Sequence, residues 1–275
     1  MKRALSLMLA LLLVWAICPA LAEETGTATF YLNAGDGSVY ATAAFTLGEW
    51  VDPPEEPVRE GYVFDGWFAD EKGENKFSFN ARYDSDVSIY ASWRKVYVFE
   101  AEYTDLEGRL GQGYSGNTAG TGLIGKDESN AGASNGYYVS CLYYNGAYLT
   151  FNIVSDRAVS DVTIVLSLSA EFDDFDLTGD ECFLDVNGTL YNVEASFRGT
   201  YSVTNNGEHL KRPFSLHTVA TKVALNEGEN VIELVVNNDV HMSGATMEAE
   251  APMVDCMYLY TNAELTWEPV LSNIE

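Results

Sequence analysis

Basic residues are scarce in this sequence. Its 275 residues include 15 Lys and Arg against 41 Asp and Glu, so the formal net charge is −26. A surface of that sign repels nucleic acid and anionic lipid, which argues against both as partners. It also argues against a polyanionic ligand unless cations bridge the two. The charge is typical of a soluble extracellular protein that binds divalent cations.

Motifs for catalysis are missing as well. The three histidines, His209, His217 and His241, lie apart in polar or loop-like segments, and no Gly-x-Ser-x-Gly, His-Glu-x-x-His or phosphate-loop pattern occurs. Paired carboxylates at Glu100 and Glu102 raise the question of glycoside hydrolysis. On one strand face, however, neither stands across a sugar from the other. We therefore expect no catalytic residue, with a hydrolase kept as a third functional class.

Cysteine is rare, and it has no metal-binding spacing. Outside the N-terminal segment the chain has Cys141, Cys182 and Cys256, an odd number that cannot all pair within one chain. No CxxC or Cys/His pattern occurs. Buried thiols are the favoured interpretation, and a single disulfide between an undetermined pair is the alternative.

The one long apolar run lies at the N-terminus. Residues 1–22 give a basic start, the apolar run ALSLMLALLLVWAICP and small residues before Glu23, the order of a secretory signal peptide. An uncleaved membrane anchor is the alternative. Cleavage after Ala22 would remove Lys2 and Arg3 and no acid, changing the formal charge from −26 to −28. The sequence thus predicts a secreted, extracellular protein with no membrane association after cleavage.

No convincing amphipathic helix follows. Short β-branched and aromatic runs such as AYLTFNIV, VTIVLSLS and NVIELVVN alternate with Gly, Asn, Asp and Ser, which predicts an all-β protein. The pattern changes near Arg94–Lys95. We therefore predict a small module over 23–95, a larger module over 96–268 and a tail over 269–275.

The segment 23–95 resembles the internalin-type B repeat, a small β-grasp-like module of secreted and cell-surface bacterial proteins. The resemblance rests on Pro57, Gly61, Tyr62, Phe64, Gly66, Trp67, Val87, Tyr90, Ala91 and Trp93. It implies a spacer or adhesion role. Trp67 and Trp93 could stack on sugars, but a module this small needs its aromatics as core, and core packing is the prediction.

The segment 96–268 resembles carbohydrate-binding modules of families six and thirty-five, which are jelly-roll β-sandwiches. The resembling stretches, in order, are Glu100-Ala-Glu102, SNGYYV, GAYLTFNIV, LDVNG, LNEGENVIEL and VDCMYLY with Asp255. The chain departs from the pattern at 239–251, an apparent insertion where the sugar site is usually completed. Which sugar or linkage is bound, whether this site works, and the oligomeric state stay open.

The first strand of this module ends in two acids. In an extended strand over 96–105, Glu100 and Glu102 would share a face with Val96 and Val98, where two bare carboxylates would repel each other and resist burial. A hard cation reverses that balance. In a jelly roll the last strand can lie beside the first and bring Asp255 close. The resemblance implies structural Ca²⁺ at Glu100, Glu102 and Asp255; the alternative is a solvated strand end.

The same resemblance places a glycan site in loops at one edge of the sandwich. By position, the candidates are Tyr114, Tyr137, Asn237 and Asn238. Aromatic rings stack on sugar C–H faces and amides bind hydroxyls, although strand packing for the tyrosines and loop capping for Asn238 are alternatives. The predicted function is calcium-stabilised, non-catalytic binding of an extracellular polysaccharide or glycan. The alternative is a structural or adhesion protein whose jelly roll contacts other proteins.

Overall fold

The computed structural model is all-β, as the sequence predicts. It describes residues 24–105, 124–127, 131–140, 142, 146–170, 175–198, 202–203, 209–210, 213–237 and 251–274. The strands are β1 (Thr25–Tyr31), β2 (Val39–Thr46), β3 (Tyr62–Phe68), β4 (Val87–Glu100), β5 (Ile124–Lys126), β6 (Tyr137–Val139), β7 (Ala147–Ser155), β8 (Val159–Ala170), β9 (Phe175–Leu177), β10 (Cys182–Val186), β11 (Thr189–Asn192), β12 (Ala195–Phe197), β13 (Ser202–Val203), β14 (His209–Leu210), β15 (Ser215–Leu225), β16 (Gly228–Val236), β17 (Pro252–Thr261) and β18 (Leu265–Trp267). Short 3₁₀ helices cover Ala101–Tyr103 and Leu271–Asn273.

The chain divides into two compact units. The first unit comprises residues up to Pro57 together with Trp67–Ser92, and the second comprises Val58–Gly66 and Trp93 onward. The boundaries predicted from the sequence, at 95 and 268, stay predictions. The described residues contain no helix with the length and apolarity needed to cross a membrane.

The first unit is a small sheet with an aromatic core. Strand β1 pairs antiparallel with β2 and parallel with Val87–Tyr90 of β4, the pairing of first and last strands typical of β-grasp-like modules. Trp67 is 5% exposed, and its ring packs edge-on against Phe30 at 5.0 Å. The prediction that Trp67 packs in a core is confirmed. The same prediction is confirmed for Trp93, which is 8% exposed and belongs to the second unit.

The second unit is a β-sandwich. One sheet has the order β15-β8-β17-β4, with β6 paired to β17 and β5 to β6, and the other has the order β11-β10-β16-β7-β18. Alternate residues of the facing strands, such as Leu149 and Phe151 of β7 and Ile164 and Leu166 of β8, are buried in one core between the sheets. The predicted jelly-roll sandwich is therefore confirmed.

Two of the cysteines can be placed. Cys182 on β10 and Cys256 on β17 are both buried free thiols, as the favoured interpretation predicts. Cys141 lies outside the described residues. The two described thiols are on different sheets, and of the two only Cys256 lies beside the predicted cation ligands.

Candidate cation site beside the first and last strands

In the second unit the first and last long strands, β4 and β17, lie side by side, as the calcium hypothesis requires. Strand β17 runs antiparallel to β4, with Cys256 opposite Glu100 and Met257 opposite Phe99. Directly opposed residues project to the same face of a sheet. Phe99 and Met257 enter the core, so Glu100 and Cys256 lie on the outer face.

The strand ends earlier than the sequence pattern suggested. An extended strand through 105 is wrong: β4 ends at Glu100, and Ala101–Tyr103 turns as a 3₁₀ helix. The hydroxyl and the N–H of Thr104 both donate to the Ala101 carbonyl, at 2.7 and 3.1 Å, and close that turn. The face that carries Val98 and Glu100 is not the core face: Phe99 and Ala101 are buried, whereas Val98 is 42% exposed.

The turn buries Glu102. Glu102 is 0% exposed, and neither of its carboxylate oxygens accepts a well-aligned hydrogen bond from the described residues, although its own backbone N–H and the Asn135 side chain lie close enough to lower its pKa. The C-terminal segment holds the turn in place, because the Asn273 amide donates to the Glu102 and Thr104 carbonyls at 2.8 Å each. A buried carboxylate without a donor is costly, since its lone pairs lose water and gain nothing.

An irregularity in β17 places the third acid. The register with β8 shifts between Val254 and Cys256, so Asp255 is the extra residue of a β-bulge. Bulges redirect side chains relative to the regular alternation of a strand. The bulge lets Asp255 and Cys256, neighbours in sequence, both reach Glu100: one ligand atom from each of the three lies within 4.8 Å of the others. Of the three predicted ligands, Glu102 is not in this group. We call Glu100, Glu102 and Asp255 the acid cluster.

A loop between β5 and β6 covers the acid cluster. The Ser134 N–H donates to Asp255 Oδ1 at 2.8 Å, and its hydroxyl lies 2.6 Å from Glu100 Oε2 and 3.0 Å from Asp255 Oδ1. One hydroxyl proton serves one acceptor at a time. The second short contact therefore needs a proton on an acid, or a cation that draws the oxygens together.

The covering loop is held by a carboxylate of its own. Asp127 accepts hydrogen bonds from the backbone N–H groups of Ala131, Gly132 and Ala133 at 2.8, 2.9 and 3.1 Å. These bonds fix the residues that immediately precede Ser134. The position of Ser134 against the acids is thus set by the loop and needs no induced rearrangement.

Burial and mutual repulsion make the acids reluctant to ionise. Burial raises the pKa of Glu100 to about 7, the charges of Glu102 and Asp255 act in the same direction, and the Ser134 hydrogen bond opposes them. Burial also raises the pKa of Glu102, helped by the charge of Asp255 and opposed by the Asn135 amide nearby. Among the ion pairs of the described residues, none joins a Lys or Arg to these acids. The acid cluster has the charge that a cation would neutralise.

The donors fit a calcium ion. Calcium binds oxygens at about 2.3–2.6 Å, so oxygens on opposite sides of one ion lie about 5 Å apart. The 4.8 Å spread of the Glu100, Asp255 and Cys256 ligand atoms is within that limit. That group holds two of the three predicted ligands, and Glu102 is not in it. The structure therefore contains an acidic and cysteine-containing group with the spacing to hold a metal ion.

The raised pKa of Glu100 predicts a pH effect in the metal-free protein. In the folded state the pKa of Glu100 is about 7, whereas its ordinary pKa is 4.5. Between those values the folded state binds more protons, so stability is highest at low pH and falls as pH rises through about 7. Thermal melts of desalted, metal-free protein from about pH 5 to 8 should show this fall, and Glu100→Gln should flatten it. An equal slope in the variant would contradict the assignment.

The predicted glycan ligands are only partly placed. Tyr137 begins β6, is half-buried, and its N–H donates to Asn135 Oδ1 at 3.2 Å. Asn237 is exposed after β16, and its N–H donates to the Glu181 carbonyl at 2.7 Å. These two residues belong to different sheets. Tyr114 and Asn238 lie outside the described residues, so the four-residue site stays a prediction.

Three residues near the acid cluster escaped the sequence reasoning: Ser134, Cys256 and Asp127. Ser134 begins the stretch SNGYYV, and no local sequence pattern links it to acids that are far away along the chain. Cys256 directly follows Asp255 and, under regular strand alternation, would point away from it; the bulge removes that alternation. Asp127 precedes a Gly- and Ser-rich stretch, which is a weak signal for a carboxylate-capped loop.

Comparison with protein families identifies the small N-terminal module. Residues 27–92 match the family model of the Listeria-Bacteroides repeat domain. That stretch lies inside the 23–95 segment whose residues resemble a bacterial surface repeat, and the resemblance is confirmed. It covers a minor part of the chain and concerns that part alone.

The solved structures similar to this chain include carbohydrate-binding modules. A family 35 module from Cellvibrio japonicus is 13% identical, with 63% of this chain and 97% of that chain covered at a TM-score of 0.37. A family 35 module from Clostridium thermocellum is 20% identical, with 60% and 98% covered at a TM-score of 0.34.

An enzyme is also among the similar structures. The exo-beta-1,3-galactanase of Phanerochaete chrysosporium is 20% identical, with 62% of this chain but 30% of the enzyme covered at a TM-score of 0.34. At these identities and TM-scores no ligand and no residue role is transferred. The chain resembles a Listeria-Bacteroides repeat at residues 27–92 and, over 60–63% of its length, modules of the family 35 type.

Proposed function

We propose that this chain is an exported, non-catalytic glycan-binding protein whose second unit is stabilised by one calcium ion at Glu100, Glu102 and Asp255. The observation that supports the cation most directly is Glu102, a fully buried carboxylate whose oxygens accept no well-aligned hydrogen bond from the described residues. Such a group is stable only if protonated or bound to a cation. Glu100 and Asp255, brought together by β4 and β17, supply the remaining charge.

A structural role for the ion follows from where its ligands sit. The ion would join the end of β4, the bulge of β17 and the covering loop that carries Ser134. The 3₁₀ helix with Glu102 is in turn hydrogen-bonded to the C-terminal segment through Asn273. One ion would thus link four segments that are distant in sequence. We propose no chemistry on a substrate for this ion.

The glycan part of the proposal is supported by the order of sequence motifs and by the place of Tyr137. Tyr137 follows Ser134 and Asn135, and its strand β6 pairs with β17 at Val139 and Val254. A ring there can stack on a sugar while its backbone is held by the loop over the acid cluster. Calcium and glycan binding would therefore be coupled through this loop.

A glycan array probed with and without calcium tests this function. Saturable binding should fall at least tenfold for Tyr137→Ala, whose ring stacks on the sugar, and also for Tyr114→Ala, Asn237→Ala or Asn238→Ala. Tyr40→Ala is the matched control, because Tyr40 is a partly exposed tyrosine (38%) of the first unit. Calcium removal should weaken binding by the wild type. No binding to any glycan would instead favour the structural or adhesion role, and release of reducing ends would indicate a hydrolase.

A further inference from the structure

Sulfur lies among the oxygens of the acid cluster. Cys256 is 0% exposed, stands directly opposite Glu100, and its thiol donates to Asp255 Oδ2 at 3.3 Å. Its Sγ atom and one oxygen from each of Glu100 and Asp255 all lie within 4.8 Å of one another. Calcium is bound by oxygen ligands, so the thiol would not be one of its ligands. A set of one sulfur and several carboxylate oxygens suits a softer ion.

We propose that the acid cluster also takes a thiophilic divalent ion of the zinc or cadmium type, bound by the Cys256 sulfur with Glu100 and Asp255. The inference depends on the cluster being a cation site, as in the proposed function, and not on calcium or a glycan being its ligand. Glu102 is not part of this three-residue group, and a water molecule would complete the tetrahedral shell, as in zinc sites with three protein ligands.

The binding step needs no oxidant or reductant. The S–H bond of Cys256 breaks, the sulfur keeps the electron pair and bonds to the metal, and the proton leaves to solvent. The metal keeps its +2 state. Any proton on Glu100 also leaves to solvent, and two ionised carboxylates and one thiolate around the +2 ion leave a net charge of −1.

Distances distinguish the two ions. Bonds of about 2.0–2.3 Å place the ligand atoms of a tetrahedral zinc site about 3.5 Å apart. The 3.3 Å between Cys256 Sγ and Asp255 Oδ2 already meets this value. Glu100, which is only half-buried, closes the remaining distance by rotating its side chain. Calcium needs no such contraction, so the two ions compete for one set of acids with different ligand subsets.

Cadmium is the probe, because a cadmium–thiolate bond absorbs in the ultraviolet whereas cadmium–carboxylate bonds do not. Titration of the metal-free protein under reducing conditions should give an absorbance that saturates at about one ion per chain. Cys256→Ser should remove it and still gain thermal stability with calcium, which shows that the variant is folded. Cys182→Ser is the matched control: Cys182 is equally buried, on β10 of the other sheet, and should keep the absorbance.

Three results would overturn the inference: no absorbance, an absorbance that survives in Cys256→Ser, or a ¹¹³Cd resonance from the wild type in the range of purely oxygen ligation. The ¹¹³Cd spectrum needs no variant and so decides the matter even if Cys256→Ser fails to fold. Failure of the calcium proposal is distinguishable. In that case calcium would not raise the melting temperature, while the Cys256-dependent cadmium absorbance would still appear.

Discussion

Replacing Glu102 with Gln should raise the melting temperature of the metal-free protein at about pH 8 and should abolish the increase that calcium gives the wild type. The first effect follows because the variant no longer buries an unpartnered acid beside Asp255. The second follows because the ion loses a charged ligand. Calcium at 100 times its dissociation constant adds about 2.7 kcal/mol to the wild type, or about 5–10 °C for a unit of this size.

The opposite signs of the two effects make this test selective. A residue that merely packs well would destabilise the protein in both conditions when replaced. Glu229→Gln is the control, because Glu229 is exposed on β16 in the other sheet and should leave both melting temperatures unchanged. The melting temperatures of the wild type and of both variants are measured by circular dichroism, once with chelator and once with calcium. A wild-type melting temperature indifferent to chelator would contradict the calcium site.

Replacing Trp67 with Ala should unfold the first unit and leave the second intact. Trp67 is 5% exposed and packs against Phe30. Loss of a buried Trp costs about 3–5 kcal/mol, and a core this small rarely supplies more than about 3–5 kcal/mol in total. Limited proteolysis with mass spectrometry should show cleavage across residues 24–57 and 67–92, with the calcium-dependent melting of the second unit unchanged.

Trp50 provides the matched control for this experiment. It is a tryptophan of the same unit but is 55% exposed, so Trp50→Ala should change stability by no more than about 0.5 kcal/mol. Equal protease resistance of Trp67→Ala and the wild type would contradict the core assignment. It would reopen the sugar-stacking interpretation of this residue.

Long-range features that follow from strand order could be predicted from the sequence. The all-β class, the sandwich and the pairing of the first and last strands of the second module follow from alternating apolar patterns and from the order of motifs. Pairing of β4 with β17 is enough to bring Glu100 near Asp255. The prediction of acids at the ends of those strands therefore needed no atomic detail.

Local geometry could not be predicted in the same way. The end of β4 at Glu100 is set by Thr104 and by contacts from Asn273. Asn273 lies 169 residues beyond Thr104 along the chain. The bulge at Asp255 depends on register with β8, and strand alternation in the sequence gives no sign of it. These two irregularities determine how Glu102 is buried and why Cys256 joins the site. Each depends on tertiary contacts that a single sequence does not encode locally.

Direct measurement of calcium binding tests the central claim, that an ion is the reason these acids lie together. Isothermal titration of calcium into the metal-free protein should give one ion per chain for the wild type and none for Asp255→Asn or Glu102→Gln. Glu229→Gln should bind as the wild type does. No heat and no calcium retained on equilibrium dialysis of the wild type, or undiminished binding by both acid variants, would contradict the account.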